Sequence, residues 1–340
     1  MKTTLKVTLM AVIAAAALIF GIGIGSVYVS PADILAILGN RLFQIPLPES
    51  INPVYPKMVM DMRLPRVLMA FLTGAALAAA GTVMQSVLQN PLASPFGLGI
   101  SAGAGLGAAV VMVMGLSSGI LGMFFLPAVS LLGGLGTVIL VIGFSSRIDR
   151  SMSNTTIILT GMVLSLFLNA IMSMLATVSP ANAQRINLWT LGSFSMKGWD
   201  SVLILFVVTV LCMLLFMFYA KEMDVMTFGE EQALSLGVNL KFVKRLLICI
   251  VAVLTGTAVA FVGIIGFVDL IAPHVVRRFF GSSHRLVLPA SALFGGTFMV
   301  LCDLAARTLA VPREIPIGSI TALIGSPFFI YIYFVKRKER

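Results

Sequence analysis

Leu72–Gly105 reads LTGAALAAAGTVMQSVLQNPLASPFGLGISAGAG, and this stretch decides the fold. It is apolar enough to lie in a bilayer, yet Asn90-Pro91 interrupts it. Proline lacks an amide hydrogen and clashes with the preceding turn, so a continuous helix is disfavoured here. Broken backbone is tolerated inside a membrane only where protein or a water-filled cavity covers it. The stretch therefore predicts two spans that meet at a break beside a pathway; the alternative is an ordinary short loop between two helices.

The composition excludes a soluble protein. Of 340 residues, 59% are hydrophobic and 11% are charged, and the mean hydropathy is +1.06. These values predict an all-α polytopic (multi-pass) membrane protein. The net charge of +10 comes from short basic patches between apolar runs, as the positive-inside rule gives, so no nucleic-acid partner is indicated. Cys212, Cys249 and Cys302 lie far apart in apolar runs, which indicates neither a metal site nor a disulfide framework.

About ten spans are predicted, some of them short or broken. Both termini are basic, so both are expected in the cytoplasm, and this demands an even number of spans. The segment Leu246–Val276 is either one long span or a span with a short broken return, and the even number favours the return. The first apolar run is interpreted as an uncleaved span. The predicted spans are Leu5–Tyr28, one that follows Arg66, Phe96–Gly115, Ile120–Phe144, Thr155–Val178, Val202–Tyr219, two in Leu246–Val276, Leu286–Leu309 and Ile317–Val335.

Two connections carry local signals. Ser30 can cap a small amphipathic helix that starts at Pro31, in the proline-rich connection that continues to Asp61. The longest polar insertion, residues 221–245, is too short for a separate domain. It is predicted to form one or two short helices, with Gly229 before and Gly237 after the central one.

A spaced motif indicates an internal duplication. Leu72-Thr73-Gly74, Gly81 and Pro91 recur, at a constant offset, as Leu254-Thr255-Gly256, Gly263 and Pro273. A repeated unit of five spans would be inverted, as in many transporters. Because the match is rich in glycine and alanine, chance similarity is the alternative.

No enzyme site emerges from the sequence. It contains no paired-carboxylate arrangement, no His–Cys–carboxylate cluster and no G-x-S-x-G motif. The dipeptide Gly-Lys never occurs, so a P-loop is absent. The chain is expected to be neither catalytic nor metal-binding, and any ATP that drives it would bind a partner subunit.

Arginines on the outer side are the first functional signal. Arg63, Arg66, Arg307 and Arg313 all fall outside on this topology, against the positive-inside bias. Four guanidiniums without neutralising partners favour an acidic partner or an anionic substrate. The alternative is headgroup anchoring and pairing within the chain, for example between Asp303 and Arg307, four residues apart on a helix.

Two further signals lie elsewhere. Glu230–Gly237 suits docking on a cytosolic subunit, but a solvated loop is equally consistent. Asp269 and His274 are ionisable residues in a membrane segment, which marks a functional candidate. A proton relay through Asp269 is one hypothesis; the other is that both side chains satisfy the broken backbone near a membrane edge.

Taken together, many short motifs across residues 5–335 resemble the permease subunit of ABC importers for iron chelates and cobalamin. The motifs are Arg63-Leu64-Pro65-Arg66, Asn90-Pro91-Leu92-Ala93, Leu98-Gly99-Ile100-Ser101-Ala102-Gly103, Trp189 with Leu191-Gly192-Ser193, Ala233 with Ser235-Leu236-Gly237-Val238, Gly266-Phe267-Val268, Ala272-Pro273-His274, His284-Arg285, Pro289, Asp303 with Ala306-Arg307, and Pro316-Ile317-Gly318 through Thr321 to Gly325-Ser326-Pro327.

The resemblance implies a single transmembrane permease domain, 1–340, with 221–245 as its coupling insertion. It implies ten spans, a second permease subunit as homo- or heterodimer, two cytosolic ABC ATPases that bind ATP, and an extracytoplasmic binding protein, all at a bacterial or archaeal cell membrane. The residues that match functional positions of the family are Arg63, Arg66 and Arg307 for binding-protein docking; Glu230, Glu231, Ala233, Leu236 and Gly237 for ATPase coupling; and Asn90, Leu92, Asn154 and Thr155 for the gate.

The resemblance also gives an expected cargo, a ferric siderophore or haem, with cobalamin as the alternative. Two residues depart from the family pattern: Asp269 stands where glycine is usual, and Ser94 stands where an acidic residue is common. A different class of function stays open, an ion-coupled secondary transporter that uses Asp269 as its proton site.

Overall fold

A computed structural model describes residues 3–25, 27–116, 120–149, 151–237 and 239–338. Lys2 and residues 339–340, on which the prediction of basic termini partly rests, lie outside these ranges. The helices are α1 Thr3–Gly23, α2 Pro31–Phe43, α3 Val54–Lys57, a π-helical turn Met58–Arg63, α4 Leu64–Val87, a 3₁₀ turn Pro95–Leu98, α5 Ile100–Val113, α6 Ile120–Ile148, α7 Asn154–Val178, α8 Pro180–Thr190, α9 Trp199–Phe218, α10 Ala220–Met226, α11 Glu230–Ser235, α12 Leu240–Val262, α13 Val268–Phe280, α14 His284–Thr308 and α15 Ile317–Lys338.

The all-helical fold with about ten spans is confirmed. In the described part of the chain, seven helices are long and apolar enough to cross a membrane, and α5 and α15 are shorter apolar helices. The tenth is α13, the short return predicted within Leu246–Val276, which extends past Val276 to Phe280. The Ser30 cap is also present, since its hydroxyl accepts a hydrogen bond from the amide of Asp33 at 3.1 Å.

Two boundaries differ from the sequence prediction. The helix of the second span starts at Val54 rather than near Arg66, because Pro53 and Pro56 lie at a helix start, where proline is tolerated. The insertion ends at residue 239, since α12 already starts at Leu240. Lys244, expected in a polar loop, is only 2% exposed.

The bundle has two ends, which are named here for their contents. The arginine end holds Arg63, the start of α4 and the end of α14. The insertion end holds α10 and α11, and the backbone amide of His284 binds Asp224 of α10 there. At the same end, Lys6 donates to the carbonyl of Phe279. α15 starts at the arginine end, where the amide of Gly318 donates to the carbonyl of Leu191, and it runs toward the insertion end. The start of α1 and the end of α15 therefore lie at the same end of the bundle.

The most deeply buried spans are α4 and α12, the helices that carry the repeated motif. α4 runs from the arginine end to the insertion end and α12 runs the opposite way. Each is followed by a break, residues 88–94 and 263–267, and then by a short helix, α5 or α13. The opposite directions are those that an inverted repeat requires.

Glycines set the closest helix contacts. A Cβ added at Gly74 of α4 would overlap the carbonyl of Gly295 in α14, and one at Gly103 of α5 would overlap the carbonyl of Gly133 in α6. Membrane helices associate through such close backbone approach because lipid gives no hydrophobic driving force between them. These contacts lock α14 and α5 onto their neighbours.

Candidate functional site

The arginine end is built around the C-terminus of α1. Arg63 is only 8% exposed, and its guanidinium donates to the carbonyls of Ile22, Gly23 and Val27 at 2.9, 3.0 and 2.5 Å. Arg307 donates to the carbonyls of Gly21 and Ile24 at 2.7 and 3.2 Å. The last carbonyls of a helix lack partners within it and carry partial negative charge. Two arginines from other helices therefore cap α1.

Arg66 makes two ion pairs. Its guanidinium lies 2.9 Å from the buried carboxylate of Asp303 and forms two hydrogen bonds, of 2.7 and 3.0 Å, with Glu314. Asp303 also pairs with Arg307 at 3.1 Å, as the spacing of four residues had suggested. The expectation that these outer arginines lack neutralising partners is therefore wrong for Arg66 and Arg307. For Arg66 it failed because tertiary packing brings Asp303 and Glu314 to it; for Arg307 the partner is Asp303 on the same helix, the alternative that the spacing had offered.

Arg63, Arg66 and Arg307 nevertheless line one cleft of about 690 Å³ at this end. Lys197 and Glu314 line the same cleft. Hydrogen bonding to Arg66 lowers the pKa of Glu314, and burial lowers the pKa of Lys197. Asp61 lines the cleft too, and Asp303 lies beneath it, paired with Arg66 and Arg307. Three guanidiniums and the ammonium of Lys197 thus face three carboxylates, so the cluster keeps an excess positive charge. Arg313 is exposed next to Glu314.

The insertion end presents an apolar surface. Gly229 and Gly237, both with positive φ, flank α11 as predicted. Ala233 is buried, whereas Leu234 and Leu236 are 59% and 70% exposed. Glu231 is exposed too, and the backbone of Glu230 starts the helix. Phe228, which the sequence analysis did not select, is 73% exposed beside them. An apolar group of this kind is typical of a protein-binding surface.

The break after α4 is held by local bonds and by the insertion. The Asn90 side chain accepts a hydrogen bond from the amide of Leu92 at 2.9 Å, which forms a turn. Leu92 is 49% exposed. Gln89, in the left-handed region, donates to the carbonyl of Met226 at the end of α10, at 2.7 Å. The predicted gate segment thus contacts the predicted coupling segment.

Asn154 and Thr155 start α7 on a different wall. Lys244 of α12 donates to the side-chain oxygen of Asn154 at 2.8 Å, and Thr155 is exposed. Asn90 and Asn154 are therefore anchored separately, one to the break and one to α12. The two walls meet where Gly161 of α7 packs on the 3₁₀ turn at Gly97.

Asp269 is completely buried in the first turn of α13. The hydroxyl of Ser94 donates to one of its carboxylate oxygens, and the side-chain amide of Gln85 lies 3.5 Å from its backbone carbonyl. Within the described part of the chain, the other carboxylate oxygen has no hydrogen-bond partner. Gly81 of α4 packs directly on the backbone of Asp269. His274, half-buried, lies five residues further along α13.

A second buried polar cluster was missed by the sequence analysis. The ring of His284 lies 2.5 Å from Asp224 on one side and 2.6 Å from the hydroxyl of Ser86 on the other. Arg277 donates to Gln85 at 2.6 Å and to Ser86 at 3.1 Å. This cluster joins four elements, α10, α14, α4 and α13. Asp224 and His284 are 60 residues apart, so no local pattern could have paired them.

Comparison with known proteins gives a consistent result. The model of the FecCD transport family matches residues 12–335. The uncharacterized ABC transporter permease protein YvrB of Bacillus subtilis is 41% identical over 318 residues, which is 94% of this chain and 90% of that protein. The Fe(3+)-citrate import system permease protein YfmE of the same organism is 34% identical over 99% of this chain and 97% of its own length.

Two further relatives bear on cargo and shape. The cobalamin import system permease protein BtuC of Halobacterium salinarum is 36% identical over 89% of this chain and 79% of that protein. A solved inward-facing structure of a metal-chelate type ABC transporter superposes with a TM-score of 0.83 at 32% identity. It covers 95% of this chain and 97% of that one.

Proposed function

Because the chain belongs to the FecCD transport family, we propose that it carries an iron chelate, a ferric siderophore or haem, into the cytoplasm. The family is one of transport permeases, so the chain is a membrane subunit and not a catalytic one. In the proposal it works with a second permease subunit, two cytosolic ABC ATPases that bind the ATP, and an extracytoplasmic binding protein. The setting is a bacterial or archaeal cell membrane, with the termini and the insertion end in the cytoplasm.

The observation that carries the proposal is the different chemistry of the two ends. The arginine end has a cleft with three guanidiniums, which suits acidic residues of a binding protein. The insertion end exposes Leu234 and Leu236 on a short helix, which suits a hydrophobic groove on an ATPase. Partners on opposite sides of a membrane can bias one conformational equilibrium only if both contact the same moving unit.

Asn90 and Leu92 are suited to transmit that bias. Their turn is tied to α10 through Gln89 and Met226, so a displacement of the insertion displaces the break. In the proposed alternating access, this movement opens and closes the pathway beside α4. Asn154 and Thr155, at the start of α7, would border the same gate from the second wall.

The proposal is tested by purification from native membranes with a substitution on α11. Leu236→Asp should abolish co-purification of a P-loop ATPase, because a carboxylate would be buried unpaired at the interface. Leu42→Asp is the matched control, since Leu42 is 72% exposed on α2 at the other end and should leave the ATPase bound. Full retention of the ATPase by Leu236→Asp would refute docking through α11.

Uptake into cells distinguishes the cargo classes. Labelled ferric siderophore, ferric citrate, haem and cobalamin should be compared in a strain that lacks the chain and in the complemented strain. Restored uptake of an iron chelate supports the proposal, and restored uptake of cobalamin alone selects the alternative. Uptake by this chain alone, driven by a proton gradient and abolished by Asp269→Asn, would instead identify a secondary transporter.

A further inference from the structure

A lateral groove lies between α1, α13 and α14, close to the insertion end. Its volume is about 430 Å³, and its walls are almost entirely carbon, with Met10 of α1, Phe280 of α13, and Phe294 and Phe298 of α14 among them. Met10, Phe280 and Phe294 pack against a buried cluster of Val276, Val287 and Ala290. The lining follows α1 from Lys6 to Ile13, which is about 10 Å of helix. The groove is therefore long and narrow and runs along the spans.

Among the described residues that line the groove, the charged one is Lys6, which lies at one end. Lys6 donates to the carbonyl of Phe279 at 2.6 Å, and its ammonium lies 5.9 Å from the ring centre of Phe280. An ammonium has three donors, so this bond leaves others for a second acceptor. Arg278, the residue before Phe279, is exposed. The mouth of the groove is thus positively charged, while its interior is apolar.

The groove opens toward the surface that α1 presents to the bilayer. On that helix, Leu9, Val12 and Ile13 are 51%, 59% and 50% exposed, as expected for lipid-facing side chains. Water inside the hydrocarbon layer is unfavourable, and an empty gap would forfeit the dispersion contacts of its lining. A flexible hydrocarbon chain that enters sideways from the bilayer satisfies both conditions.

We infer that this groove binds the acyl chain of an anionic phospholipid, whose phosphate is held at the mouth by Lys6. The charge selects the headgroup, because basic residues at the cytoplasmic membrane surface attract anionic lipids. The apolar interior takes the chain. A lipid held here would contact all three helices and would stabilise the packing of α1 on α13 and α14. Because Arg277 of α13 belongs to the buried cluster with Ser86, the lipid would also be connected to that cluster through α13.

Fluorescence quenching by brominated lipid tests this inference on the full chain. Phe298→Trp places a reporter in the groove, and the parent protein, with Trp189 and Trp199 only, gives the baseline. In phosphatidylcholine vesicles with a minor fraction of brominated phosphatidylglycerol, we expect quenching of the reporter to indicate about fivefold enrichment over bulk, the effect of one lysine near an anionic surface. Brominated phosphatidylcholine should give no enrichment.

Matched variants test whether Lys6 is the residue that gives the preference for anionic lipid. In the reporter background, Lys6→Gln should remove the enrichment and Lys6→Arg should keep it. Lys221→Gln removes an equal charge from α10 at the same end and should change nothing. Val12→Trp, on the open face of α1, should report bulk composition throughout. Equal quenching by both lipids, or the same enrichment in Lys6→Gln and Lys221→Gln, would overturn the inference. A reporter shielded from both lipids would show that protein covers the groove instead.

Discussion

Ser94 donates its hydroxyl proton to the carboxylate of Asp269 and so joins the break after α4 to the first turn of α13. These are the two residues that depart from the pattern of the family the sequence resembles. Their contact joins the two departures in one hydrogen bond: a hydroxyl stands in the break, where the resemblance implies an acidic residue, and the carboxylate stands on α13. A buried hydrogen bond of this kind holds the break against α13.

Ser94→Ala should destabilise the protein. The substitution leaves a fully buried carboxylate without its hydroxyl donor, and an unsatisfied buried polar group costs about 1–3 kcal/mol. Asp269→Ala should have a similar effect, and the double variant should add little, since both remove one interaction. Thermal unfolding in detergent measures this. Ser146→Ala, which removes an exposed hydroxyl of α6, is the control and should be neutral.

Asp269→Asn separates structure from proton transfer. An amide oxygen can still accept the proton of Ser94, so near-normal uptake driven by ATP is expected. If Asp269 carried protons, uptake would be lost in Asp269→Asn although the protein remained folded. Measurement of uptake and unfolding temperature on the same preparations decides between these outcomes.

His284→Ala should uncouple the insertion from the central span α4. The ring bridges Asp224 of α10 and Ser86 of α4, so its removal breaks a direct connection between the insertion and a central span. We expect ATPase subunits to remain bound, while ATP-driven uptake falls by at least about tenfold, the equivalent of 1.4 kcal/mol of lost coupling. Uptake per ATP hydrolysed is the readout.

The control for this variant is Ser283→Ala. Ser283 also reaches Asp224, but at 3.4 Å and at the surface, so its loss should leave coupling intact. An equal defect in both variants would show that any contact between Asp224 and the start of α14 matters, rather than the buried ring.

Gly81→Ala should be poorly tolerated. A Cβ at this position would overlap the backbone of Asp269, and backbone cannot yield as a side chain does. Overpacking of this kind costs typically about 1–3 kcal/mol. Gly136→Ala is the matched substitution in α6, where nothing lies within 4 Å of the added carbon. That variant should keep or raise the unfolding temperature, because alanine favours helix over glycine by about 0.5–1 kcal/mol.

Acid should weaken the arginine end through Glu314. Arg66 holds the pKa of this carboxyl below its usual value of about 4.3, so the ionised form stabilises the folded state above that pH. The contribution is lost as the pH falls through the lowered pKa of the folded protein. Glu314→Gln should therefore lose less stability than the parent between neutral and acidic pH.

The matched change for Glu314 is Glu49→Gln, at an exposed residue of the connection before α3. Its unfolding temperature should follow the parent at each pH. A parallel response of all three proteins would mean that the pair between Arg66 and Glu314 contributes nothing measurable.

Periodicity and proline placement predicted most of the fold. Asn90-Pro91 marked the break, and the glycines around α11 marked that helix, because both effects are local to the backbone. The start of the second span was misplaced, since Lys57 and Asp61 make its first turns look like a loop. Lys244 was assigned to the polar insertion for the same reason, but its side chain is buried and donates a hydrogen bond to Asn154.

The candidate sites were predictable only in part. The outer arginines were visible as charges on the unexpected side of the membrane. Their partners were not, because the bonds from Arg63 go to backbone carbonyls, which every residue has, and Glu314 is 248 residues from Arg66. The cluster around His284 was not predictable, since its members come from four helices; His284-Arg285 was visible only as one motif of the resemblance.

The cap that Arg63 and Arg307 place on α1 has a mechanical consequence. Three carbonyls at the end of that helix, of Gly21, Ile22 and Gly23, and two just beyond it, of Ile24 and Val27, accept hydrogen bonds from these two arginines. Sliding of α1 against α4 or α14 at this end would break these hydrogen bonds. Each buried carbonyl left without a donor would cost about 1–3 kcal/mol. The arginines therefore hold this end of α1 in place against α4 and α14. A tilt of α1 about this end would displace its other end most, and would have to break the hydrogen bond from Lys6 to the carbonyl of Phe279.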